Sequence, residues 1–100
     1  MTSPHNITIV KQHDTHITVW TSNMAVSGGT VRLLAKNTQT KVVTILATTA
    51  GDDVYSVKHQ LTGTLTPGDY EIELESTIGG VIRTSPSSGY AILRVEKDLG

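Results

Sequence analysis

Thr66-Pro67-Gly68-Asp69-Tyr70-Glu71-Ile72-Glu73-Leu74-Glu75 is the stretch whose reading decides the fold. Pro67 presets φ for the first central position of a turn, and Gly68 supplies the positive φ of the next. From Tyr70 onward, apolar and acidic residues alternate strictly over six positions. A helix of period 3.6 cannot present that pattern, so the segment reads as a β-strand with one face in a core. Tyr70, Ile72 and Leu74 are expected inside, and Glu71, Glu73 and Glu75 outside.

The same reading extends in both directions. Downstream, Gly79-Gly80 marks a hairpin turn into a strand over 81–84. Ser85-Pro86-Ser87-Ser88-Gly89 is a loop, and Tyr90–Glu96 is a last strand with Ala91, Leu93 and Val95 on one face. Upstream, 54–61 places Tyr55, Val57 and Leu61 together. The run 41–49 is apolar on both faces, as a central strand would be. The strand over 30–36 sets Val31, Leu33 and Ala35 opposite Arg32, Leu34 and Lys36, after a turn or bulge at Ser27-Gly28-Gly29. In 16–20, Ile17 and Val19 share a face opposite His16, Thr18 and Trp20. Near the start, Ile7 and Ile9 alternate with Thr8. Turn signals every ~8–12 residues are the spacing of an all-β sandwich or barrel. About seven or eight short strands fit, in one domain over 6–100 behind a flexible arm of residues 1–5.

Composition agrees. Thr (16), Val (10) and Ile (8) make up 34 of the 100 residues, and β-branched side chains suit a pleated surface better than a helix. With 37% hydrophobic residues the chain can build a core, and a net charge of −1 argues against a polybasic nucleic-acid binder. The absence of cysteine excludes a disulfide framework, a thiolate metal site and a cysteine nucleophile. The first residues lack the basic and apolar regions of a signal peptide, and no apolar run approaches the ~20 residues of a membrane helix. The expectation is synthesis in the cytoplasm, with neither membrane nor nucleic acid as partner.

Side chains that could carry chemistry are few. His5, His13, Asp14 and His16 are metal-ligand types, but positions three apart on an extended chain point to opposite faces, so solvated loop histidines are expected. Glu71, Glu73 and Glu75 could supply an acid and base pair only within a cleft. They read instead as a solvent face meeting Arg83, Arg94 or Lys58 across the sheet. Ser85, Ser87 and Ser88 lie in no nucleophile elbow, and neither glycine pair precedes a helix that could bind phosphate. The sequon Asn6-Ile7-Thr8 means little without a signal peptide. The expectation is therefore no enzyme, no cofactor and no metal. A protein interface fits better. Its candidates are the short β-branched segment Asn6, Ile7, Thr8, Ile9 and Val10, and the single tryptophan, Trp20, whose other reading is a core plug on the second sheet face.

Several segments taken together resemble a known family. They are Asp14-Thr15-His16-Ile17-Thr18-Val19, the stretch from Val26 to Ala35, Leu61 to Leu74 with its Leu-x-Pro-Gly-x-Tyr core, and Gly89 to Val95. Their order over residues 6–96 resembles the small immunoglobulin-like domains of long-tailed bacteriophage structural proteins, especially the N-terminal domain of baseplate upper proteins. His13 stands where such domains usually have Gly. The resemblance implies an antiparallel immunoglobulin-like β-sandwich without catalytic residues. It also implies a virion protein docked in multiple copies, or as a homo-oligomer, on other phage structural proteins at the tail tip or baseplate. A capsid decoration protein is the alternative, and a carbohydrate-binding module is a poorer one, because aromatic residues make up only 4% of the chain.

Overall fold

The computed structural model describes residues 4–22, 26, 28–63, 65–85 and 90–99. Among them lie nine strands and no helix: β1 (Pro4–Lys11), β2 (Ile17–Thr21), β3 (Thr30–Asn37), β4 (Val43–Leu46), β5 (Thr49–Ala50), β6 (Ser56–Gln60), β7 (Gly68–Ile78), β8 (Val81–Ser85) and β9 (Tyr90–Glu96). They form a six-stranded sheet in the order β1-β9-β7-β3-β4, with β8 also on β7, and a three-stranded sheet β2-β6-β5.

The strand that decides the fold also organises it. β7 is 11 residues long. One of its edges pairs with β3 from Tyr70 to Thr77. Its other edge is shared, with β9 on Gly68 to Ile72 and β8 on Leu74 to Ile78. Tyr70, Ile72 and Leu74 are buried as expected, and Leu33, Ile72 and Leu93 are the largest fully enclosed side chains. Trp20 of β2 and Val57 of β6 belong to the same core. The two sheets therefore face each other across one apolar layer, the arrangement of a sandwich.

Two turns are built by the residues that the sequence puts there. Gly79 and Gly80 have φ of 59° and 80°, the pair of positive values that a tight hairpin turn requires. Before β7, the Tyr70 hydroxyl donates to the Thr66 carbonyl at 2.8 Å, which pins the Pro67-Gly68 corner to the strand that follows it.

Several expectations need correction. The larger sheet is mixed, not antiparallel, because β1 runs parallel to β9. β1 begins at Pro4, so two residues of the expected arm belong to a strand; residues 1–3 lie outside those described. The three glutamates are half-buried because β7 is flanked on both sides. The run 41–49 is not a central strand: it splits into β4, at the edge of the larger sheet, and the two-residue β5 of the smaller one. Tyr55 is exposed, and His59 takes the inward place beside Val57 and Leu61. Ser27 and residues 86–89, with Ser87 and Ser88, lie outside the described residues.

Candidate functional site

The sheets are unequal in width, and that inequality shapes the surface. Three strands cannot cover six, so the outer strands of the larger sheet keep much of their apolar area in water. Among the described residues, β1 pairs with β9 alone and β4 with β3 alone. Each presents, among those residues, backbone N–H and C=O groups along its other edge, those of Lys11 being bonded to Asp14, and a further strand could pair the rest.

On β1, Val10 points into the core, while Ile7 and Ile9 are 49% and 56% exposed. Lys11 closes the strand with an ion pair to Glu96 at 3.2 Å. The register with β9 is irregular between Pro4 and Ile7. Of the residues expected at an interface, Asn6, Ile7, Thr8, Ile9 and Val10 do lie on a free edge strand, and within it Ile7 and Ile9 offer the accessible apolar surface.

Trp20 does not. It is 4% exposed, and its indole N–H donates to the Thr18 hydroxyl at 3.1 Å. That hydroxyl in turn donates to the His59 carbonyl at 3.2 Å. Thr18 and Trp20 thus fill the inner face of β2, and Ile17 and Val19 face water. A threonine whose hydroxyl is satisfied costs little to bury, while an indole gains more from burial than any aliphatic side chain here.

β4 is the surface that the sequence reading missed. Val42, Val43 and Ile45 are 60%, 53% and 58% exposed, close together beside this edge. The strand is entered through a bulge. The Asn37 N–H donates to the Val42 carbonyl at 3.0 Å, and the Lys41 N–H donates to the Asn37 carbonyl at 2.9 Å. Lys41 has φ of 63°, in a position that favours glycine. The Asn37 side chain holds the turn by accepting from the Gln39 and Thr40 N–H groups at 2.9 and 3.0 Å. A run that is apolar on both faces looks the same in sequence whether both faces are covered or neither is. The polar turn before it, closed by Lys41, was the available sign of an edge.

The remaining polar groups hold the sheet together. On the outer face, Arg94 grips Asp69 with two bonds of 2.9 and 3.2 Å. The hydrogen bond and charge of Arg94 outweigh the effect of burial and hold the Asp69 carboxyl below its usual 3.8. Arg32 reaches Glu75 at 2.7 Å and Lys58 reaches Asp52 at 2.8 Å, so the expected pairing of the glutamate face with Arg94 and Lys58 is replaced by these partners. His13 lies 3.5 Å from Asp98, and His16 lies 3.9 Å from Asp14. Among the described residues no three histidine or acidic side chains come together as a metal site would need.

One cavity of about 250 Å³ opens between the sheets, lined by Val10, Leu46, Leu61, Leu65 and Val95 with Asp14 and His59. His59 Nδ1 lies 2.7 Å from the Ala47 carbonyl; a carbonyl only accepts, so this nitrogen carries the proton. None of the three glutamates lines the cavity. The histidine there ties β6 to the crossing between β4 and β5.

No protein-family model matches the sequence, and a search of curated proteins finds no match. The functional reading therefore rests on the two free edges.

Proposed function

We propose that the chain is an immunoglobulin-like domain serving as a non-enzymatic structural protein of a bacteriophage particle, docked in multiple copies at the tail tip or baseplate. Two features support the finer fold reading. The sheet β2-β6-β5 facing β9-β7-β3 matches the inner strands of the immunoglobulin arrangement, with β4 added beyond β3 and the first strand lying beside the last. The bond from the Tyr70 hydroxyl back to the Thr66 carbonyl is a tyrosine corner, at the corner and on the strand where such domains carry it.

The observation that carries the docking role is the free edge of β1 with its half-exposed Ile7 and Ile9. An edge of this kind binds by adding a strand: backbone bonds give affinity, and alternate side chains give selectivity. Repetition of the contact around a symmetric assembly turns a weak single contact into a lasting one. The test is particle composition. Ile7→Lys combined with Ile9→Lys places charge on the edge while leaving Val10 and the core alone. Copies per purified particle should fall at least tenfold, with the melting temperature of the isolated domain nearly unchanged, and an antibody label on wild-type particles should sit at the tail tip. Full incorporation of the double variant removes β1 from docking. A label on the head transfers the reading to capsid decoration, and no label on particles ends it.

A further inference from the structure

The two free edges of the larger sheet are not equivalent. β1 is guarded by Pro4 at its start, a register irregularity, and Lys11 at its end. These features confine strand addition on β1 to its middle, Ile7 to Val10, whereas β4 is open along its whole length. β4 reads Val43-Thr44-Ile45-Leu46, without charge, proline or irregularity within it, although Lys41 stands just before it. The hydrogen-bond phase of this strand is set by the bulge. Asn37 and Val42 form a bonded pair, and bonded and non-bonded pairs alternate along an antiparallel ladder. In the register that pairs Lys36 with Val43, Ala35 with Thr44 and Leu34 with Ile45, Thr44 therefore bonds inward to β3. Val43 and Ile45 turn their N–H and C=O groups to the free edge.

From this edge we infer that β4 is a self-association strand: two copies of the chain pair antiparallel through it, about a two-fold axis at Thr44. That axis sets Val43 against the partner's Ile45, and the reverse, which are the residues whose backbone groups point outward. Each donor then meets an acceptor. Around the axis Val43 meets Ile45 and Thr44 meets Thr44, all β-branched and each a favourable cross-strand pair. Charge permits the arrangement. Lys41 stands opposite the partner's Ala47, which leaves the two lysines about 20 Å apart along the strands, farther than charges interact at physiological salt. A shift of register by one residue would pair bonding groups with non-bonding ones and lose this match. The seam is short, below the roughly 1,200 Å² typical of stable interfaces, so the dimer forms at high concentration or when copies are held together. This interface is distinct from the β1 edge and does not depend on the phage reading.

The chain lacks cysteine, which makes the register directly testable. Residues facing each other across a non-bonded antiparallel pair have Cα atoms about 4.5 Å apart, within disulfide range. Thr44→Cys should give a covalent dimer under mild oxidation at least tenfold faster than Val43→Cys or Thr8→Cys. Sedimentation of the wild-type chain should show its mass rising from 10.7 kDa toward twice that value as concentration increases, and Ile45→Lys should abolish the rise. The lysine and cysteine variants change positions that are exposed or, at Thr8, half-buried, and a circular dichroism melt verifies folding. Equal cross-linking at the three positions, or a monomer at every concentration, overturns the proposal.

Discussion

β7 and β2 are both alternating strands on opposite sides of one core, yet alternation orients the first and leaves the second undecided. In β7 the two faces differ by chemistry: Tyr70, Ile72 and Leu74 alternate with three glutamates. Burying a carboxylate without a partner is costly enough to dictate the inward face. In β2 the alternatives are Ile17 and Val19 against Thr18 and Trp20, and either set can be buried. Once the Thr18 hydroxyl is bonded, the decision falls to size, and the indole wins. A period of two establishes a strand. A cost that only one face can avoid establishes its orientation.

The largest effect should come from β2. Trp20→Ala is expected to destabilise by about 3–5 kcal/mol, and Val19→Ala by about 0.5 kcal/mol, in urea unfolding. Equal losses would show that the indole does not decide which face of β2 is buried. On β7, Leu74→Ala should cost about 2–5 kcal/mol and Glu73→Ala about 0.5 kcal/mol. A comparable cost at Glu73 would show that half-burial between two flanking strands has made its stem part of the packing.

The two hairpins extend the contrast at smaller scale. β7–β8 meets its positive φ values with Gly79 and Gly80, whereas β3–β4 places Lys41 at φ of 63°. Lys41→Gly should raise stability by about 0.5–1 kcal/mol, since the left-handed region costs an L-residue about 1–2 kcal/mol and glycine returns part of that as lost chain entropy. A neutral or destabilising result would mean that the lysine side chain makes a compensating contact. The smallest effect concerns acid. The Asp69 carboxyl is held below its usual 3.8 by Arg94, so its contribution is complete above that value and disappears as pH falls through the lowered one. Asp69→Asn should flatten the loss of stability below about pH 4 and leave neutral stability almost unchanged, because exposed pairs contribute little. An unchanged acid profile would assign the acid response to other carboxylates.

What the sequence makes legible follows the same logic. The turn at Pro67-Gly68, the alternation of β7, the Gly79-Gly80 hairpin and the inward Leu93 and Val95 of β9 are local facts with a single solution. The place of β4 is not local. Val42, Val43 and Ile45 show that apolar residues occur on both sides of a strand, while coverage depends on how wide the opposite sheet turns out to be. Strand direction is equally invisible: nothing in Ile7-Thr8-Ile9-Val10 tells a parallel partner from an antiparallel one. The segment Asn6 to Val10 is recognisable as a strand by its β-branched content, and it forms an edge of the larger sheet. For Trp20, an aromatic side chain flanked by threonine and histidine leaves core plug and surface contact both open until the core that needs its volume is known.

The parallel pairing of β1 with β9 sets Pro4 beside Tyr90 and Lys11 beside Glu96, so the chain enters the pair at one end of the ladder and leaves it at the other. Tension applied between those two points acts along the strands, in shear. Every rung between Ile7 and Val95 then resists at once, whereas a hairpin pulled open would give up one rung at a time. Such a ladder breaks at a rate set by its weakest concerted step, and forced opening is governed by that rate more than by equilibrium stability. A domain anchored by its ends in a moving assembly would use this pair as its mechanical clamp, and the half-exposed Ile7 and Ile9 beside it are the positions where a neighbouring strand would stiffen it further.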